Sequence, residues 1–256
     1  MLIWTMAALA ALPSGCERAA AAAAEPACVE RRLAGLATSL PDRVEEAAEN
    51  GLERSPDDVK AWQAAAAETL RAWTAYRDAR CDATLLRFEG AGESADACRL
   101  RVGRTILADL AARYGAQPGG FGRADVETLA AAPRKSPEDE GPCAKVEPAE
   151  CDYCAMNHCW EKRLKADDAA LNAAWRGALA RIAGKAGLSP SRRADWTERL
   201  RKAQRLWLRW RDEDCALERL ETPNPNAHSI YALITGPCLA AETEARTQVL
   251  RRTYRR

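Results

Sequence analysis

Apolar residues fall at helical spacing from Cys154 to about Ala183, at Met156, Leu164, Ala169, Leu171, Ala174, Trp175, Leu179 and Ile182, and the pattern stops near Gly184 and Gly187. Ser189 then caps a new helix with Pro190 at its first position, where a missing N–H costs nothing, and that helix runs to about Leu220. The same plan occurs earlier in the chain, where Ser55 and Pro56 open a helix that extends to about Phe88. At 1.5 Å per residue each of these two helices is roughly 45–50 Å long. A loop holding Gly90 and Gly92, or one from Asn224 to Gly236, leads to Cys98 or Cys238 and a final helix. The expected fold class is all-α: two tandem disulfide-linked helical-hairpin units, each with one long helix and an additional short helix.

The two long helices carry one pattern. Ser55-Pro56, Trp62, Arg71, Trp73, Arg77-Asp78 and Cys81 recur as Ser189-Pro190, Trp196, Arg205, Trp207, Arg211-Asp212 and Cys215, eight identities in an ungapped alignment of the two segments. Two copies of one helical unit are the simplest explanation. The tryptophans of each copy are spaced i, i+11, close to a whole number of helical turns, so Trp62 and Trp73 share a face, as do Trp196 and Trp207. These tryptophans, with Arg77, Asp78, Arg211 and Asp212, are assigned to the repeat-motif core. An arginine on such a seam needs a carboxylate, backbone carbonyls or an aromatic face to offset its desolvation. A paired arginine that sets helix register is the structural reading, and an anion-binding arginine is the functional one.

Composition adds the compartment. Residues 2–12 are apolar but too short to span a bilayer, and Pro13, Ser14, Gly15 and Cys16 follow them, so residues 1–24 read as a signal peptide or lipoprotein signal. Cys16 is the candidate for lipidation; cleavage within the alanine run 19–24 is the competing reading. Ten cysteines agree with export to an oxidising compartment, where they act as staples. Setting Cys16 aside leaves Cys28, Cys81, Cys98, Cys143, Cys151, Cys154, Cys159, Cys215 and Cys238 as structural cysteines. Cys81 and Cys98 flank one loop and Cys215 and Cys238 another, and closing each contributes about 3 kcal/mol on a chain-entropy estimate. Pairing with Cys28, or with Cys154 and Cys159, is the alternative. Residues 116–150, rich in proline and glycine, separate a first unit at 25–115 from a second at 151–256.

Candidate chemistry concentrates in Cys151, Cys154, His158 and Cys159. A zinc site would need adjacent His158 and Cys159, which point about 100° apart on a helix, to share one metal; redox exchange through Cys151 and Cys154 lacks a surrounding βαβ pattern. Structural disulfides are the preferred reading. His158 and His228 are the only histidines, and neither belongs to a nucleophile arrangement. No catalytic residue, metal, cofactor or nucleic-acid partner is expected, and the protein is not expected to be an enzyme. Charge divides unevenly: acidic residues outnumber basic ones over 25–150, and basic outnumber acidic over 151–256. The basic half suits a cell-wall polymer or an anionic membrane surface as partner, or simply solvated helix faces.

The second half also carries Met156-Asn157-His158-Cys159, Ala166 to Asn172, Ala203-Gln204, Trp207, Trp210-Arg211-Asp212, Cys215, Cys238 and Arg246-Thr247. Over about residues 151–252 this resembles the bacterial envelope domain named for the lysozyme inhibitor LprI. The first unit is similar at Trp73, Tyr76-Arg77-Asp78, Cys81 and Cys98, but has Thr69-Leu70 for Ala-Gln and lacks the Leu-Asn step and one cysteine of the first helix. The resemblance implies a small secreted or lipid-anchored helical module located in the periplasm or outer envelope. It also implies lysozyme or another envelope protein as partner. An inhibitor of a basic lysozyme is expected to present an acidic face, and the first unit is the one in which acidic residues outnumber basic ones, over 25–113.

Overall fold

The computed structural model describes residues 25–49, 54–114, 154–221 and 231–255; helices joined by short turns make up these residues, with no strand among them. The helices are α1 (Glu25–Glu49), α2 (Pro56–Arg80), α3 (Ala83–Glu89), α4 (Ala95–Tyr114), α5 (Cys154–Ala183), α6 (Pro190–Leu220) and α7 (Tyr231–Thr253). Residues 1–24 with Cys16, expected to be a signal, and residues 116–150 with Cys143, expected to be a linker, lie outside the described residues, as do Cys151, His228 and the side chains of Cys28 and Cys154.

Local chemistry accounts for most helix ends. Ser55 and Ser189 are both extended (φ −68° and −67°), and each Oγ accepts from the backbone N–H three residues on, that of Asp58 or Arg192. Proline follows in both cases, where its fixed φ favours the first turn. After α5 the Gly184 N–H donates to Ala180 O at 2.9 Å, and Gly187 takes φ +76°, a conformation that side chains disfavour. The 31-residue α6 has the length that periodicity predicts, about 46 Å. Its counterpart α2 does not. It stops at Arg80 after 25 residues, the Cys81 N–H closes the last turn on Arg77 O, and α3 is a separate seven-residue helix. Gly236 is also not in a loop, because α7 begins at Tyr231 and holds Gly236 and Pro237 inside it.

The described residues divide into two compact units, one holding those of 25–83 and 93–114 and the other those of 84–92 and 154–255. In the first, α1 packs against α2 and α4. Leu33, Leu40, Val44, Trp62, Trp73 and Ile106 are buried there, and the Cys81–Cys98 disulfide joins the end of α2 to the start of α4. In the second, α7 packs most extensively on α5 and also on α6, with Cys215–Cys238 bridging α6 to α7. Leu171, Ile182, Leu200, Trp207, Leu217 and Leu250 form its core. Burial of each such leucine contributes about 1.5–3 kcal/mol.

Two details tighten the second unit. A Cβ on Gly236 would meet Trp160 at 3.0 Å, so glycine is what lets α7 approach the buried Trp160 of α5. Residues 84–92, kept in the first unit by the sequence reading, group here instead. Phe88 stacks on Trp196 with ring centroids 5.2 Å apart, and the Tyr254 hydroxyl donates to Glu89 at 2.7 Å.

Candidate functional site

Both units build the same clamp from the Arg-Asp step. In the first, Trp73 is buried and the Arg77 guanidinium lies 5.3 Å from its ring centroid, one helical turn further on. Arg77 is only 5 % exposed; Nη1 donates to Glu30 Oε1 of α1 at 2.8 Å, and Nη2 donates to Asp78 Oδ1 at 2.9 Å. In the second, Arg211 lies 5.2 Å over Trp207, donates to Asp212 at 2.7 Å and to Thr243 Oγ1 of α7 at 3.2 Å, and sits 3.6 Å from Asp168 of α5. Aromatic face and carboxylates together offset the cost of desolvating each arginine. The clamp thereby ties α2 to α1 in the first unit and α6 to α5 in the second.

One part of the expected core is at the surface. Asp78 and Asp212 are half or more exposed, because a residue directly after the arginine is turned about 100° round the helix and grips the guanidinium from the solvent side. The buried acid of α6 is Asp214 instead. Trp62 and Trp196 are buried as well; Arg54 lies 4.8 Å over Trp62, and the Trp196 indole N–H donates to the Tyr254 hydroxyl at 3.4 Å.

The second unit adds a polar pair that periodicity alone did not single out. Arg246 of α7 is buried, lies 5.8 Å over Trp207 and donates through Nε to Gln204 Oε1 at 2.9 Å. Aligned on their Cys-bearing helices, the first unit has Leu70 and Ile106 at these two positions, both buried. The two members thus differ together between the units, polar with polar and apolar with apolar. Arg163 links α5 to α7, donating to Asp167 at 2.8 Å and lying 3.5 Å from Glu244, and the Asp167 hydrogen bond raises its pKa above the ordinary arginine value.

The five cysteines whose side chains are described are engaged as cross-links. Cys81 pairs with Cys98 and Cys215 with Cys238, and Cys159 is also disulfide-bonded, so its sulfur is not a free thiolate for a metal. Neighbouring His158 is exposed, 3.8 Å from Glu161. No described helix is long and apolar enough to cross a membrane.

Between α1 and α2 lies an open trough of about 510 Å³. Ala34 and Ala37 of α1 and Ala67, Thr74 and Ala75 of α2 form its walls, with Leu33 and Leu70 deeper in the trough and Glu30, Arg77 and Asp78 among its lining residues. This is an open concave surface with an apolar body and charged groups on its lining.

Residues 143–250 match the model of the family described as lysozyme inhibitor LprI. The match takes in α5, α6 and nearly all of α7, with both arginine clamp partners of Trp207 and the Cys215–Cys238 bridge. No curated protein and no solved structure matches the chain.

Proposed function

We propose, from the LprI-type domain that residues 143–250 carry, that this is an exported bacterial envelope protein that acts by binding and has a lysozyme-inhibitor-like role. The family match is the single observation that carries this reading. The geometry supports a binding role rather than chemistry, since the shared Trp, Arg and Cys residues of the motif are spent on packing, clamps and cross-links, leaving surface shape and charge to select a partner. On the same reading residues 25–115 are a diverged copy of the domain, joined through 116–150 to the second copy at 151–256, and residues 1–24 direct export.

The test is suppression of cell-wall lysis. Oxidised mature protein, added in excess to a basic animal-type lysozyme acting on bacterial cell walls, slows clearing of the suspension, and its association rate falls as salt rises. Unchanged clearing by a folded preparation rejects the role for that lysozyme class.

One observation favours a second reading, a structural or wall-associated module without lysozyme affinity. Arg201, Arg205 and Arg209 are exposed at successive turns of one face of α6, with Lys202 beside them. Such a ridge suits an anionic cell-wall polymer or membrane surface. Cosedimentation with purified cell wall or anionic vesicles, lost at high salt and absent for lysozyme, would favour this reading over the first.

A further inference from the structure

We propose that the pole of the second unit where α5 and α7 end and α6 begins is an electrostatic docking surface for anionic phospholipid headgroups. The proposal rests on the surface-binding reading above, moves the contact from the ridge of α6 to this pole, and names the partner surface.

Named contacts bring the three helix ends together. The Cys215–Cys238 bridge at one end and the Trp196–Tyr254 hydrogen bond at the other hold α7 antiparallel to α6, and Arg193 Nη2 donates to Lys185 O at 3.1 Å, tying the first turn of α6 to the turn after α5. Arg181 and Lys185 come from the end of α5 and that turn, and Arg192, Arg193 and Arg199 from the start of α6. Arg251 and Arg252 stand in the last turn of α7, with Arg255 just beyond it. Over 181–199 and 248–255 these eight cations meet only two carboxylates, Asp195 and Glu198. Asp195 accepts from Arg199 at 2.9 Å, and Glu198 accepts from Arg205 of the ridge at 3.0 Å. The segment 84–92 beside Trp196 adds one charge of each sign, Arg87 and Glu89. The exposed side chains of Arg181, Lys185, Arg192, Arg251 and Arg255 enter no ion pair among the described residues.

The fold does not require these cations. Ser55 and Ser189 are equivalent caps, and Glu30 and Asp168 both face a clamp arginine, so residues 43–65 of the first unit correspond to 181–199. That stretch carries six acidic and three basic residues, where the second unit carries two and five. Nor does the helix dipole account for them all. It favours cations at the ends of α5 and α7 but anions at the start of α6, where α2 has Asp57 and Asp58 and α6 has Arg192 and no acid. Like charges gathered in this way repel one another until an anion meets them. Seven of the eight are arginines, whose planar fork pairs with two oxygens of one phosphate. Because they come from three chain segments at one end of the unit, a small anion reaches one or two of them, whereas a sheet of phosphodiester headgroups meets them together. Each cation held near such a surface strengthens binding about fivefold.

The test is cosedimentation of the full mature oxidised chain with vesicles of phosphatidylcholine alone and of equal parts phosphatidylcholine and phosphatidylglycerol. Binding to the mixed vesicles only, weakening as salt rises, is expected. The triple variant Arg192→Gln, Arg251→Gln, Arg255→Gln, all at exposed positions, is expected to lower the partition coefficient about a hundredfold. A ridge triple, Arg201→Gln, Lys202→Gln, Arg205→Gln, removes the same charge. Its residues start roughly 14 Å along α6 from Arg192, beyond the screening length of about 8 Å at physiological salt, so its expected loss is less than about threefold. If the pole triple does not fold, Arg255→Gln, beyond the end of α7, decides alone with an expected loss of about fivefold. Unchanged binding by the pole triple, a loss from the ridge triple as large or larger, or equal binding to both vesicle types overturns the pole while leaving the surface-binding reading intact. Retention on purified cell wall without vesicle binding also overturns it, because the occupant is then the polymer. Binding to neither rejects the proposal and that reading together.

Discussion

Arg246 donates to Gln204 across 2.9 Å although both side chains are buried, and the same guanidinium lies over the ring of Trp207. A charge placed so deep is tolerated only while its partners remain. Gln204→Leu removes the acceptor and leaves a buried donor of a charged group, an expected loss of about 1–3 kcal/mol or more. Gln204→Leu with Arg246→Ile, the pair at the corresponding positions of the first unit, recovers most of it. Urea unfolding of the two variants checks both parts; a double variant no better than the single one would contradict the coupling.

Trp207→Ala removes the largest fully buried side chain among the described residues and the ring beneath two arginines. The expected cost is about 3–5 kcal/mol, read as a lower midpoint in thermal or denaturant unfolding of the second unit. An unchanged midpoint with lost partner binding would make the tryptophan a ligand contact.

Replacing Cys215 and Cys238 by serine opens a loop with a sequence separation of 23 residues, and replacing Cys81 and Cys98 opens one of 17. On the chain-entropy estimate both cost about 3 kcal/mol, and the two losses are expected to be similar because the dependence on loop length is logarithmic. Unfolding with and without reductant measures them.

Gly236→Ala drives a methyl group to about 3.0 Å from Trp160, and α7 must shift or the indole must turn. The cost expected for such overpacking is about 1–3 kcal/mol. Gly177→Ala, where the added carbon meets nothing within 4 Å, serves as the control and is expected to be neutral or stabilising.

The sequence was most informative where the cause is local. The Ser-Pro helix starts, the tryptophans repeated on one helix face and the glycines after α5 each act within a few turns, and the all-α fold follows from them. Cys81–Cys98 and Cys215–Cys238 were one of two open pairings, and the structure decides between them. Partners far apart in sequence were out of reach: Arg77 with Glu30 is separated by 47 residues and Gln204 with Arg246 by 42, and no periodicity reports such a meeting. The same holds for the stop of α2 at Arg80, where a cross-link and a new short helix replace a pattern that continues apolar through Leu86, and for Gly236, whose role depends on a tryptophan of another helix. Asp78 and Asp212 were placed in the core by their neighbours; one residue of rotation puts them outside.

The α5–α6 turn is short and capped at both sides, whereas the heaviest packing in that unit joins α5 to α7. Contacts made across such a sequence separation are the slow step of folding, since the intervening chain must be restrained before they form. The second unit is therefore expected to complete its core late, when α7 docks on α5, since α5 and α6 pack only sparsely on each other. The Cys215–Cys238 bridge fastens α7 to the end of α6 and so shortens the search: protein refolded with that bridge already closed should gain its native signal faster than fully reduced protein, and the difference in rate would measure how much of the transition state consists of α7 meeting α5.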